Sequence, residues 1–241
     1  METANLSGLR AIITGASKGI GRAIAERLAA EKAVLALMAR SGDLLLERAE
    51  DCRKRGARAE AFVADVADAD AVERQFQKAI DWLGGVDLLV NNAGLGYFAP
   101  IDELSVARFD EMINTNLRGA FLCARAVIPR MKADGGGTII NISSIAGKYG
   151  SEGGGGYCAS KFGLMGLNEC MGLDLRAHNI RVTAICPGSV NAPDFRAGRS
   201  TRIKPENMIQ AADVAEAVVY IARQPARIFI REMEVRVTRT A

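Results

Sequence analysis

Tyr157 and Lys161 stand four residues apart in Gly156-Tyr157-Cys158-Ala159-Ser160-Lys161-Phe162-Gly163, a stretch with helical character. That spacing puts both side chains on one face of a helix. An ammonium beside a phenol favours the phenolate and brings the tyrosine pKa down from about 10 toward neutrality. A phenol tuned in this way gives a proton to a carbonyl or takes one from an alcohol. A second motif, Thr14-Gly15-Ala16-Ser17-Lys18-Gly19-Ile20-Gly21, holds three glycines between a predicted strand and a predicted helix. Glycines there let the backbone turn sharply and approach a pyrophosphate, and the helix start offers free N–H groups and positive dipole. The spacing is Gly-x-x-x-Gly-x-Gly, not Gly-x-Gly-x-x-Gly.

These residues need elements to hold them, and short apolar runs alternate with amphipathic stretches along the chain. Strands are predicted at residues 10–14, 33–38, 59–64, 86–91, 137–143, 181–186 and 232–237. Helices are predicted at 19–31, 43–55, 69–83, 108–132, 157–177 and 211–223. The alternation predicts a Rossmann-type α/β fold: a doubly wound parallel sheet of about seven strands with helices on both faces. Ligands of such folds sit at the carboxyl ends of the strands, so the loops that follow strands draw the attention.

With 241 residues, nearly half of them apolar, the chain can bury one substantial core. No linker, charge block or repeat divides it, so residues 1–241 read as one dinucleotide-binding domain. The net charge of +3, spread over interspersed residues, gives no reason to expect nucleic acid. No apolar run is long enough to span a bilayer, and the N-terminus has no apolar leader pattern. The five cysteines, 52, 123, 158, 170 and 186, lack metal-ligand spacing and read as reduced thiols of a cytoplasmic protein. Cys158 adjoins Tyr157 but points about 100° away on a helix, which favours packing over redox chemistry.

The loops after the other strands extend the nucleotide site. The second strand runs into Ala39-Arg40, with no acidic residue where one would bind the ribose 2′-hydroxyl of NAD. Asp43 lies further on and suits a helix cap. Arg40 and Lys18 can pair with a 2′-phosphate, which favours NADP over NAD; the alternative is that both are solvated surface cations. Asp65-Val66 follows the third strand, where a carboxylate can accept the adenine amino group. Asn91-Asn92-Ala93-Gly94 follows the fourth and permits a tight turn, Asn91 having a purely structural alternative in holding adjacent strands.

In their order along nearly the whole chain, these residues resemble the short-chain dehydrogenase/reductase family. The resemblance rests on Thr14-Gly15 with Gly19 and Gly21, Asn91 to Gly94, Ser144, Tyr157 with Lys161, and Pro187-Gly188. It implies a four-residue active site. Asn116 in Asn114-Thr115-Asn116-Leu117-Arg118-Gly119 matches the asparagine that holds a water in the family's proton relay, with Asn114 its competitor. Ser144 matches the serine that hydrogen-bonds the substrate oxygen; Ser143 is the competitor, and Gly147 sets the register in favour of Ser144. Tyr157 matches the acid/base, and Lys161 its partner, which also binds the nicotinamide ribose. Gly15, Ser17, Lys18, Gly19, Ile20, Gly21, Arg40, Asp65, Val66, Asn92, Ala93, Gly94, Tyr157, Lys161, Pro187, Gly188 and Val190 make up the implied cofactor site. Ala192 departs from the threonine that many members carry there, which removes a hydroxyl from the nicotinamide end.

The segment 189–210 is expected to cover the substrate. It sets Arg196, Arg199, Arg202 and Lys204 against Asp194 and Glu206, a positive balance suited to an anionic or carrier-bound acyl group, or to a solvated loop. Tyr97, Phe98, Phe195 and Met208 line an apolar pocket or pack conventionally. Gly153 to Gly156 clear side chains from the approach to Tyr157. His178 reads as a helix-end residue and Trp82 as packing.

The reading that follows is an NADP(H)-dependent oxidoreductase acting on a small-molecule carbonyl or secondary alcohol, with a 3-oxoacyl thioester among the candidates. A non-catalytic NADP(H)-binding redox sensor is the alternative, and a lyase or epimerase that recycles its cofactor is a third. Apolar faces on helices 108–132 and 157–177, with the resemblance, imply a homodimer or homotetramer.

Overall fold

Runs rich in Ile, Leu, Val and Ala have the composition of strands covered on both faces. A computed structural model describes residues 5–192 and 203–238. In it β1 (Arg10–Thr14), β2 (Val34–Ala39), β3 (Arg58–Val63), β4 (Leu88–Asn91), β5 (Gly137–Ile142), β6 (Ile180–Pro187) and β7 (Glu232–Val235) form one sheet ordered β3-β2-β1-β4-β5-β6-β7. Every pairing is parallel. The helices are α1 (Gly19–Ala30), α2 (Gly42–Lys54), α3 (Ala69–Leu83), α4 (Val106–Ile113), α5 (Gly119–Ala133), α6 (Gly155–Leu175) and α7 (Ala211–Ala222).

Two apolar clusters flank the sheet. On one side Ile24, Leu28, Leu45, Val214 and Val218 of α1, α2 and α7 pack with Ile13, Leu35, Leu37 and Val90. On the other, Phe76, Ile80, Val127, Met131, Met171 and Leu175 of α3, α5 and α6 pack with Ile12, Met38, Leu89, Ile139 and Val182. Each large side chain buried this way contributes about 1.5–3 kcal/mol before conformational entropy is subtracted. The expected doubly wound architecture is thus present.

Local chemistry sets the element ends. The Asp68 carboxylate accepts the Asp70 and Ala71 amides at 3.0 and 3.1 Å and starts α3, and Gly84 at φ 73° ends it. Ser41, not Asp43, occupies the N-cap of α2; Asp43 lies inside the first turn, where its charge still favours the helix dipole. Trp82 packs edge-on to Phe62 with the Arg58 guanidinium over its ring at 4.3 Å. His178 lies exposed in the short turn Arg176–His178, which Asn179 closes in a left-handed conformation.

The helix expected over residues 108–132 is present from Val106 to Ala133, but it is not α-helical throughout. One turn of π-helix, Asn114–Arg118, separates α4 from α5. The Asn116 side chain bonds to backbone and side-chain groups outside the helix, and at Gly119 an added Cβ would lie 2.8 Å from Val66 Cγ2. A π turn widens the backbone where such outside contacts dictate the path. β4 also starts two residues later than expected and β7 stops two residues earlier.

Candidate active site

The order of strands reverses between β1 and β4, the place where open sheets of this kind form a ligand crevice at the carboxyl ends of their strands. Thr14 at the end of β1 donates to Val90 O at 3.3 Å, while its hydroxyl accepts the Asn92 and Ala93 amides at 3.0 and 3.1 Å. Asn92 Nδ2 donates to Thr14 O at 2.9 Å and Gly15 O at 3.2 Å. The glycine turn and the loop after β4 are therefore locked together. Gly15 and Gly19 take φ 65° and 57°, left-handed values that side chains disfavour. A Cβ on Gly21 would run into Gly15 O and Asn92 Nδ2. Among the described residues no side chain caps the N-terminus of α1, whose first amides lack intrahelical partners. Glycine cradle and uncapped helix start fit a pyrophosphate. Ser17 and Ile20 are half-buried beside this turn, and Lys18 is exposed.

At the ends of β2 and β3, Ala39 is buried and Arg40 exposed. The Arg40 guanidinium lies 3.8 Å from the Asp65 carboxylate, whose other oxygen accepts the Ala67 amide at 2.9 Å. Val66 is buried beneath. The structure thus gathers Arg40, Asp65 and Val66 at one edge of the crevice, with a cation and no competing carboxylate at position 39.

The other end of the crevice is built by α6. Its buried positions Tyr157, Lys161, Leu164, Asn168, Met171 and Leu175 follow helical spacing, so the face that carries the chemistry is the face that packs. Tyr157 and Lys161 are 7% and 5% exposed, and Lys161 Nζ lies 5.8 Å from the Tyr157 ring centroid. Lys161 donates to Ile142 O at 2.9 Å. Burial without a facing carboxylate pushes its pKa down to about 8.

Asn116, in the π turn, is buried, whereas Asn114 is exposed. Asn116 Nδ2 donates to Leu95 O at 2.8 Å and Ser160 Oγ at 2.9 Å, and Oδ1 accepts the Leu95 amide at 2.8 Å. Ser160 in turn donates to Tyr157 O at 2.7 Å. At Gly94 an added Cβ would sit 3.2 Å from Asn116 Oδ1 and 3.7 Å from Lys161 Nζ. One amide therefore joins the loop after β4, the π turn and α6 around a glycine.

Ser144, half-buried, accepts the Ala146 amide at 3.1 Å and donates to Pro187 O at 3.5 Å. Ser143 is instead buried, and its hydroxyl has no partner among the described residues. Pro187 ends β6; Gly188 donates to Val235 O, and Val190 bridges Ile209, closing the base of the segment that follows. Phe98 packs against Tyr157 with ring centroids 5.5 Å apart, while the Tyr97 hydroxyl donates to Glu111 at 2.8 Å on α4. Met208 is buried, and Lys204 and Glu206 are exposed. Asp194, Phe195, Arg196, Arg199 and Arg202 lie outside the described residues.

Behind the site runs an amide chain that sequence reasoning missed beyond Asn91. Asn91 Nδ2 donates to Asn141 Oδ1 at 3.0 Å across adjacent strands, and Asn141 Nδ2 donates to Asn168 Oδ1 at 2.9 Å on α6. The signal was an asparagine inside an otherwise apolar strand and another on the apolar stripe of a helix. Ser160, three residues after Tyr157, was likewise passed over. The five cysteines are all free; burial pushes the Cys52 and Cys186 thiols up to about 11, which suits packing.

The glycine turn and the Tyr157–Lys161 helix thus stand at the carboxyl ends of a doubly wound parallel sheet. The family model described as short chain dehydrogenase matches residues 10–203. Sepiapterin reductase of Chlorobaculum tepidum is 36% identical over 94% of this chain and 95% of its own. The 3-oxoacyl-[acyl-carrier-protein] reductase of Staphylococcus aureus is 33% identical over 90% and 92%. Among solved structures, a metagenomic short-chain oxidoreductase in complex with NADP superposes with a TM-score of 0.85 at 36% identity, covering 98% of this chain and 99% of that one. The chain belongs to the short-chain dehydrogenase/reductase family of oxidoreductases. No helix of the described residues is long and apolar enough to cross a membrane, and no described cluster has the ligands for a metal ion.

Proposed function

We propose that this chain is an NADP(H)-dependent reductase of carbonyl compounds, working reversibly on the matching secondary alcohols. The observation that carries the reading is the convergence of Gly94, Asn116, Lys161 and Tyr157 at the glycine-lined crevice. A phenol, a buried ammonium and an amide tied to both neighbouring elements are the parts a proton relay needs. Gly15, Ser17, Lys18, Gly19, Ile20 and Gly21 would hold the pyrophosphate, and Asp65 and Val66 the adenine. Asn92, Ala93, Gly94, Pro187, Gly188 and Val190 would flank the nicotinamide riboside. Arg40 and Lys18 would meet a 2′-phosphate, which the missing acid at position 39 leaves room for. NADP in the metagenomic relative's structure supports the same choice.

A bound nicotinamide supplies the hydride. Ser144 and Tyr157 donate hydrogen bonds to the substrate oxygen, where negative charge develops as its carbon is reduced. Tyr157 then passes its phenolic proton to that oxygen. Lys161 stabilises the phenolate left behind, and a water held near Asn116 restores the proton through the lysine. Phe98 beside the Tyr157 ring gives the pocket an apolar wall. The sepiapterin and 3-oxoacyl names of the relatives share a carbonyl as the reacting group, and an acyl thioester is the first substrate to try. Residues 1–241 would act as one domain, with 189–210 covering the substrate.

We read the exposed groove of Phe121, Ile128, Leu167 and Met171 on α5 and α6 as a contact between copies of this chain, in a homodimer or homotetramer. The test of the activity is binding of NADPH and NADH, followed by nicotinamide oxidation against acyl thioesters, ketones and aldehydes. NADPH preference with turnover of one carbonyl class supports the reading; failure to bind either nucleotide contradicts it.

A further inference from the structure

Glu232-Met233-Glu234-Val235-Arg236-Val237 alternates charged and apolar residues. On a strand this sends Glu232, Glu234 and Arg236 to one face and Met233, Val235 and Val237 to the other. The apolar row packs on the core. The charged row of an edge strand ordinarily faces water, but here it meets the turn that carries Ser144. Lys148 Nζ donates to Glu232 Oε1 at 2.6 Å and Glu234 Oε2 at 2.9 Å. Arg236 donates to Glu234 Oε1 at 3.0 Å and stands 5.7 Å over the Tyr149 ring. Two same-face residues of β7 and Arg236 just after it thus grip two successive residues beyond the turn Ile145–Gly147.

The opposite side of that turn is held as tightly. A Cβ on Gly147 would lie 2.8 Å from Lys161 O and 2.9 Å from Met165 Cγ, so the turn rests on the α6 backbone at the lysine itself. Register pairs Glu232 with Ala184 and Glu234 with Cys186, which sets the charge cluster beside the end of β6, where Pro187 O faces Ser144 Oγ. An isolated surface ion pair contributes little. This one differs: a single ammonium bridges two carboxylates, a second cation shares one of them, and the side chains of Lys148, Glu232 and Glu234 are only 30%, 24% and 24% exposed.

We propose that Lys148, through Glu232 and Glu234, is a positioning residue that clamps the Ser144 turn between β7 and α6. Its catalytic consequence rests on the role given to Ser144 above. With the clamp open, Ser144 loses its fixed place relative to Tyr157 while the nucleotide end of the crevice is untouched.

The test compares wild type, Lys148→Met, Lys148→Arg and the Glu232→Gln/Glu234→Gln double variant by amide hydrogen exchange over residues 144–150, NADPH affinity and carbonyl turnover. Lys148→Met should speed exchange of that segment by about tenfold, while Lys148→Arg stays close to wild type. The double variant should match Lys148→Met, and combining them should add nothing. NADPH affinity should hold within about twofold while kcat falls by roughly ten- to a hundredfold. Unchanged exchange in Lys148→Met overturns the clamp, whether or not wild type reduces any carbonyl. Faster exchange with unchanged kcat overturns the positioning role. Absence of turnover in wild type counts against the reductase reading alone, and the exchange data still decide the clamp.

Discussion

Lys161 is an ammonium placed where burial opposes charge, and it donates to Ile142 O with no carboxylate facing it. The folded protein therefore sheds this proton near pH 8, while an unfolded lysine keeps it to about 10.5. Below about pH 8 the full charging penalty acts on the native state; between there and about 10.5 the unfolded state binds more protons, so stability rises with pH. Lys161→Met should accordingly be more stable at pH 7, by on the order of 2 kcal/mol or roughly 4–8 °C in Tm. The gain should shrink above about pH 8, and turnover should be lost. Thermal melts of both proteins across pH 6–10 check the sign. At the opposite end of the crevice, Arg40→Ala should weaken NADPH by on the order of tenfold and leave NADH unchanged, since only a 2′-phosphate would use that guanidinium. Nucleotide titrations read it directly; equal loss for both cofactors would place Arg40 away from the phosphate.

Elements hold these residues through contacts of very different sequence reach. Asn141 on β5 joins Asn91 on β4 to Asn168 on α6, all buried. Asn141→Leu should strip the Asn168 amide oxygen of its donor, leave Asn91 Nδ2 only Ala120 O, and cost on the order of 2 kcal/mol, a fall of roughly 4–8 °C in Tm measured by calorimetry. Strands β1, β2, β4, β5 and β6 were legible because each is a largely apolar run, and α3 was legible to both ends because Asp68 and Gly84 sit at its termini. Tyr157 and Lys161 were legible because four residues is one turn of helix. The π turn at Asn114–Arg118 was not, because its causes are tertiary: Leu95 and Ser160 on the Asn116 amide, and Val66 against Gly119. The choice of Asn116 and Ser144 over their neighbours came from resemblance; the fold then buries Asn116 and exposes Asn114, and turns Ser144 toward Pro187. The grip of β7 on Lys148 spans more than eighty residues, beyond the range of any local pattern.

The whole molecule presents one sheet with its chemistry at the switch point and an apolar groove on α5 and α6, far along the same helix that carries Tyr157. Phe121, which lines the groove, is 45% exposed, and Leu173, outside it on α6, is 70% exposed. Light scattering should give a dimer or tetramer, and Phe121→Asp with Leu173→Asp should shift it to smaller species; a wild-type monomer would remove the interface. The contacts among Gly94, Asn116, Ser160 and Lys161 all lie within one chain, so such a shift should leave NADPH binding in place. The central claim is that this crevice moves a hydride to a carbonyl carbon under proton control by Tyr157. The most direct measurement is reduction of a carbonyl substrate with NADPH deuterated at either face of C4, followed by mass analysis of the alcohol formed. Deuterium is expected on the carbinol carbon from one face only, with Tyr157→Phe still binding NADPH but slowed by about 10²–10⁴-fold. Product free of label from both faces, or a Tyr157→Phe protein as fast as wild type, would contradict it.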